Sequence, residues 1–170
     1  MTAHVDACAP LDDLTAYRHT LGAFPTGITV MTAADGEQRV GVTANSFGSV
    51  SLEPPLILWN LKTSSPSLPT FRNSGHFAVH VLAWHQEEIC RRFATPLPDK
   101  FDGLEVSDGL GQAPLLEGCA ARLECALVHE FITGDHVVLI GEVKRYQNLH
   151  REPLIFFRGA TRWFDQPLVS

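Results

Sequence analysis

The sequence predicts a mainly β domain with a few helices, folded as an antiparallel barrel that is closed or half closed. Three observations carry this expectation. Runs of strand character outnumber helical runs about two to one, they do not alternate with helices in a βαβ rhythm, and short turn signals separate the last of them at hairpin spacing. With 170 residues, 45% of them hydrophobic, the chain can bury the core of one compact domain. Residues 1–10 read as a flexible N-terminal tail and residues 11–170 as that domain.

The elements are justified in chain order. Asp12 suits the N-cap of a first helix in which Leu14, Tyr17, Arg18 and Leu21 recur at helical spacing, ending near Gly22 and before Pro25. "GITVMTAADGEQRVGVTANS" predicts a hairpin, because a β-branched run meets an Asp35-Gly36 turn and then Val40 and Val42 alternate with Gly41 and Thr43. "PPLILWNL" predicts a third strand, closed off by Pro54 and Pro55. "SSPSLPTF" suits a short helix or turn, "HFAVHVL" a strand, and "WHQEEICRRFA" a helix with Ile89 and Phe93 on one face. From Pro96 to Glu117 the Gly, Pro and Asp content predicts an irregular excursion. "CAARLECALVHEF", "DHVVLIGEVKRYQNL" and "PLIFFRGATRWF" then read as three strands, with turns at Thr133-Gly134 and near Arg151 to Pro153.

Charge excludes some functions. A net charge of −6 gives no electrostatic grip on nucleic acid or anionic lipid, since displacing counterions needs clustered Lys and Arg. No stretch has the apolar length of a membrane span and the first residues lack a signal pattern, so the expected location is the cytoplasm. Cys8, Cys90, Cys119 and Cys125 form no Cys-x-x-Cys pair and read as buried or idle thiols. His76 and His80 lie on one face of a strand but roughly 13 Å apart, too far to share an ion, so no metal is expected.

No phosphate-binding loop of the Gly-x-x-x-x-Gly-Lys-Ser/Thr form is present, and no Gly-x-Ser-x-Gly elbow. Gly109 and Gly111 fall in the irregular excursion and run into Pro114, which does not open a dinucleotide-binding helix. Redox chemistry without a metal or a Cys pair needs a borrowed cofactor. In "GVTANSFGSVSLEPPLILWNL", Thr43, Asn45, Ser46, Ser49, Ser51 and Asn60 place small polar groups beside an apolar run. Two readings stand for them: a cradle for a polar ligand such as a flavin, or side chains that cap turns.

"FPTGITVMT", "GVTANSFGSVSLEPPLI", "GHFAVHVLAWHQEEICRRFA", "KFDGL" and "GDHVVLIGEV" occur in the order and at about the spacing of the flavin reductase-like family, which has an FMN-binding split barrel. The chain resembles most the short-chain NAD(P)H-dependent reductases that serve two-component flavin monooxygenases, from about Tyr17 to Phe164. The resemblance implies that Pro25, Thr26 and Gly27 line a flavin pocket and that Thr43, Ala44, Asn45 and Ser46 meet the isoalloxazine edge and ribityl chain. It implies further contacts from Ser49 and Ser51, and phosphate contacts from Asn60, Leu61, Lys62 and the Ser64, Ser65 and Ser67 cluster. Arg92, Phe93, Lys100 and Phe101 are candidates for the rim, with core packing the competing reading for both phenylalanines. His136 of Gly134-Asp135-His136 is assigned to nicotinamide positioning; read from its residues alone, the triplet is a hairpin turn.

The activity implied by the resemblance is reduction of FMN or FAD by NADH or NADPH, through hydride transfer to flavin N5. A homodimer with the flavin near its interface and a separate monooxygenase that receives reduced flavin are implied as partners. An FMN-binding electron carrier of the same fold is the alternative, and a hydrolase using a Ser–His pair is a third. Two places depart from the family pattern: His80 stands where Asn is common, and the C-terminal stretch carries Arg158, Thr161, Arg162 and Trp163. His80 and Trp59 read as core residues.

Overall fold

The computed structural model describes residues 9, 10 and 12–164. Most of the expected tail, including Cys8, lies outside the described residues. Helix α1 (Leu14–Leu21) is capped by Asp13, one residue later than the sequence suggests. Asp13 has extended backbone and its Oδ1 accepts the N–H groups of Thr15 and Ala16, each at 2.9 Å. Only the residue directly before the first helical turn can reach those donors; Asp12 instead accepts the Ala9 N–H at 3.3 Å.

Strands β1 (Thr26–Gly27), β2 (Thr29–Asp35) and β3 (Gln38–Ala44) come next, and Asp35 pairs with Gln38, leaving Gly36 and Glu37 as the hairpin loop. Gly36 takes a φ of 60°, the left-handed conformation such a loop needs. The polar stretch then forms a strand that the sequence does not predict, β4 (Gly48–Leu52), which pairs with β5 (Pro55–Lys62). Helix α2 (Leu68–Ser74), strand β6 (His76–Val81) and helix α3 (Glu87–Ala94) lie where the sequence places them. The excursion after α3 is not wholly irregular: β7 (Val106–Asp108) and β8 (Pro114–Leu116) pair within it. Long strands β9 (Ala121–Thr133) and β10 (His136–Asn148) form a second hairpin. The last run splits into β11 (Ile155–Phe157) and β12 (Ala160–Arg162), because Arg158 and Gly159 both turn with positive φ.

Seven strands form one antiparallel sheet in the order β3-β2-β6-β9-β10-β5-β4, and β1, β11 and β12 form a smaller one. The large sheet curls until the residues after β3 meet β5: the Ser46 hydroxyl accepts the Asn60 N–H at 2.9 Å and donates to the Asn60 carbonyl at 3.4 Å. The barrel is half closed there. Its interior holds Met31, Trp59, Phe71, Phe77, Val137 and Leu139. Trp59 is a core residue, as its apolar run implies, with the Phe71 ring edge-on at 4.9 Å and the Phe77 ring at 5.9 Å. Each such side chain contributes about 1.5–3 kcal/mol by leaving water.

A second core lies outside the barrel wall, where Ile28, Val30, Leu82, Phe93, Phe101 and Leu154 pack between the sheet, α3 and the excursion. Gly41 makes this approach possible: a Cβ there would sit 2.3 Å from the Phe93 ring. Lys100 clamps the layers by donating from Nζ to the Phe93 carbonyl at 2.7 Å and the Gly41 carbonyl at 3.1 Å. Partial burial lowers the pKa of that ammonium. Among the described residues no helix is long and apolar enough to cross a membrane.

His80 is fully buried on β6. Its Nδ1–H donates to the Val30 carbonyl and its Nε2 accepts the Leu116 N–H, both at 3.0 Å. One neutral imidazole thus ties β2, β6 and β8 together, in agreement with the sequence reading of a satisfied strand histidine. Burial pushes its pKa from 6.5 down to about 4. Above pH 6.5 the ring is neutral folded and unfolded; below it the unfolded chain takes a proton that the folded protein refuses. Stability therefore falls as the pH is lowered from 6.5 to 4. Denaturant unfolding at neutral pH and near pH 4 should show wild type losing about 3 kcal/mol more than His80→Asn. Equal losses in the two proteins would mean that His80 does not enter the core uncharged.

Candidate functional site

The register of the strands gathers most of the predicted residues at one end of the barrel. Thr29 pairs with Ala44, so Pro25, Thr26 and Gly27 enter β2 where Asn45 and Ser46 leave β3. Ser46 bonds to Asn60 on β5, and two residues on, Lys62 lies opposite His136 on β10. Four chain segments, far apart in sequence, converge on that end.

Two side-chain atoms there are buried without a hydrogen-bond partner, Thr26 Oγ1 and Asn60 Oδ1. Among the described residues the indole nitrogen of Trp59 is in the same state, inside the core. A buried polar atom left unpaired costs about 1–3 kcal/mol, and the two at the barrel end, unlike the indole in the core, lie where a ligand could supply the missing bonds. A hydroxyl and an amide oxygen can meet the N–H, carbonyl and hydroxyl groups of a flavin, so these two atoms fit that group.

His136 opens β10 and is half exposed; its Nδ1 lies 2.7 Å from Asp135 Oδ1. The hydrogen bond to His136, and then its charge, holds the Asp135 carboxyl below its ordinary range. Against the Asp135 carboxylate, Nδ1 carries the proton and donates. The Asp135 carbonyl accepts both the N–H of Thr63, at 3.0 Å, and its hydroxyl, at 3.1 Å, which fastens the turn to the end of β5. Asp135 and Thr63 are not among the residues that the sequence reading assigns to the site. The Asp-His dipeptide in a hairpin turn is the signal that points to the first, and none points to Thr63.

Other predicted members serve the fold. Thr43 faces away from the barrel interior, and its hydroxyl donates to the Cys90 carbonyl of α3 at 2.7 Å. Strand alternation explains this: Val42 and Ala44 pack on the inner core, so Thr43 points to the outer one. Leu61 is buried in the inner core, leaving its backbone as its contribution. Ser49 is exposed on the edge strand β4, and Ser51 Oγ accepts the Glu53 N–H. Ser65 Oγ accepts the Ser67 N–H at 3.3 Å in the turn before α2, and Ser67 caps α2 without a side-chain bond. Ser64 and Lys62 are exposed beside them. Phe93 and Phe101 pack against each other at 5.1 Å in the outer core, so they are core residues and not rim. Arg92 donates to the Asp102 carbonyl at 2.7 Å, and Lys100 is the clamp already described. Burial raises the thiols of Cys90 and Cys119, and that of Cys125 to about 12, so these three sulfurs are poor nucleophiles.

Residues 21–165 match the model of the flavin reductase like domain family. The chain is 42% identical over 151 residues to an FMN reductase (NADH), SmoA, from Agrobacterium fabrum, covering 89% of this chain and 86% of that one. It is 39% identical over 144 residues to HsaB of Rhodococcus jostii, the reductase subunit of a flavin-dependent monooxygenase, covering 84% and 74%. Among solved structures it superposes on the NADH:FAD oxidoreductase SgcE6 of Streptomyces globisporus in complex with NAD and FAD fragments. That match has a TM-score of 0.88 and 37% identity, over 94% of this chain and 97% of that one. Other relatives are longer; the chain spans 49% of one from Rhizobium meliloti.

Replacing Ser46 by Ala removes the acceptor of the Asn60 N–H at the barrel seam. Urea unfolding should show a loss of about 1–2 kcal/mol in Ser46→Ala. A loss near zero would mean that the seam is held by other contacts.

Proposed function

This chain belongs to the flavin reductase-like family, and from that premise we propose that it reduces FMN or FAD with NADH or NADPH. It is an oxidoreductase of the antiparallel split-barrel fold. The observation that carries the reading for this chain is the pair of unsatisfied buried atoms, Thr26 Oγ1 and Asn60 Oδ1, at the end of the barrel that also bears His136.

Bound together, a nicotinamide and a flavin would supply hydride transfer from the one ring to the other. The residues of the chain orient and shield. Thr26 and Asn60 offer hydrogen bonds to the polar edge of the ring system, and the absence of a side chain at Gly27 and the small ones of Asn45 and Ser46 let backbone N–H groups approach it. Those N–H groups stabilise negative charge where it develops. Lys62, at the open end of β5, supplies the cation for a flavin phosphate, next to the serines of the turn before α2. His136 stands on the nicotinamide side, with its ring plane fixed by Asp135. A positioned wall of this kind acts by raising the fraction of near-attack geometries, and it needs no change of protonation.

The reduced flavin passes to a separate flavin-dependent monooxygenase, a reading supported by the reductase subunits among the relatives. A second copy of the chain is the further partner. The exposed apolar side chains of Val50 and Leu52 on β4 and of Phe131 and Ile132 on β9 support this. Residues 11–170 act as one domain in the cytoplasm, where the nicotinamide nucleotides are supplied.

The deciding assay is NADH or NADPH oxidation at 340 nm with FMN, FAD or no flavin added. Oxidation should depend on added flavin. His136→Ala should lower kcat/KM for the nucleotide roughly tenfold while flavin affinity stays within twofold. Flavin bound by a protein that oxidises neither nucleotide would make it an electron carrier, and loss of flavin binding in His136→Ala would move that residue to the flavin side.

A further inference from the structure

The motifs of the site leave one feature unused. Between α1 and the turn joining β11 to β12 lies a cavity of about 820 Å³. Thr15, Arg18 and His19 line it from the helix, and Phe156, Arg158 and Gly159 from the turn. None of the described residues that line it is acidic. In a chain of net charge −6, two guanidinium groups and an imidazole around one opening make a local reversal of sign.

The arrangement is built. The Arg158 N–H donates to the Gly22 carbonyl at 2.9 Å, which fastens the turn to the C-terminal end of α1. Arg158 holds a left-handed backbone, φ 48°, and its guanidinium lies 5.3 Å from the centre of the Phe157 ring. Arg18 and His19 sit in the last turn of α1, on the side that faces it. The Arg18 and Arg158 side chains appear in no ion pair with a carboxylate among the described residues. Guanidinium groups suit phosphate oxygens through paired hydrogen bonds.

The cavity adjoins the proposed flavin site through the chain itself. Gly22 and Ala23 line it, and Pro25 to Gly27 come two residues later; Phe156 lines it too and pairs with Thr26 in the sheet. We propose that this basic cavity binds the adenosine phosphate end of a dinucleotide whose other end reacts at the barrel mouth. The inference rests on the flavin reductase reading for the identity of the dinucleotide. Two molecules carry that chemistry, the nicotinamide nucleotide and FAD, whereas FMN lacks it. The volume accommodates an adenosine with its phosphates, the half of NADH that stacking on a flavin leaves without a partner.

The test uses Arg18→Gln, Arg158→Gln and the double variant of the full chain. Both side chains are on the surface, and circular dichroism checks that the fold is kept. With FMN as flavin, KM for NADH or NADPH should rise roughly tenfold per arginine. A rise larger for NADPH than for NADH assigns the cavity to the 2′-phosphate, and an equal rise assigns it to the diphosphate. A KM that rises for FAD but for neither nucleotide makes FAD the occupant and keeps the adenosine phosphate site. Calorimetric titration of ADP-ribose into the same proteins needs no catalysis, and its affinity should fall by a similar factor. Wild type that reduces no flavin, with ADP-ribose binding lost in the variants, would leave this site standing while removing the reductase. Unchanged KM values for all three dinucleotides, together with unchanged ADP-ribose binding, would overturn the proposal.

Discussion

A curved antiparallel sheet must either close or leave an edge, and here the closure is made by the Ser46 hydroxyl lodged against the backbone of Asn60. Everything at the functional end is arranged around that seam. Strand β3 delivers Asn45 and Ser46 to it, β5 delivers Asn60 and then Lys62, and β10 runs alongside β5 to set His136 next to Lys62. A main-chain seam would have fixed the same curvature. Beside this seam the Asn60 side-chain oxygen is left without a partner, which is where a ligand can add its own.

The two cores support this end from opposite sides. Inside, Trp59 with Phe71 and Phe77 keeps β5 and β6 at a constant spacing. Outside, Phe93 seats against Gly41, and Lys100 draws the excursion and α3 onto β3 through two carbonyls. Hydride transfer depends on the overlap of two rings within a fraction of an ångström, and strand ends backed by packed layers hold that tolerance better than loops do. The Asp135–His136 pair applies the same logic to a turn: its carbonyl is fixed by Thr63 and its carboxylate fixes the ring.

How much of this is legible in the sequence depends on the reach of the signal. Alternation in "VGVTA" and the β-branched runs announce β2 and β3, and the apolar "PLILWNL" announces β5 with Trp59 inside. His80 is recognisable as a core histidine because Ala78, Val79, Val81 and Leu82 on either side of it are apolar. The family motifs locate the converging segments, but not the direction of each side chain. The motif around Thr43 makes it a ligand contact along with its neighbours, although its parity along β3 sends it to α3. Strand β4 is hidden by its own polarity, as an edge strand has few apolar positions to alternate. Asp12 and Asp13 are equally good caps by type, and only the start of the helix separates them. Arg18 and Arg158 lie 140 positions apart, and no local pattern joins them into one cavity.

Helix α1 has no buried residue, and eight residues are too few for a helix to stand by its own backbone bonds in water. Its anchors are the Asp13 cap and the bond from Arg158 to Gly22 at its other end. In the language of local unfolding, a short helix with no buried residue opens more readily than central strands such as β2 and β6. Whatever the adjoining cavity holds must also hold the helix. Part of the binding free energy therefore goes into ordering α1, and protection of its amides becomes a direct gauge of occupancy, separate from turnover.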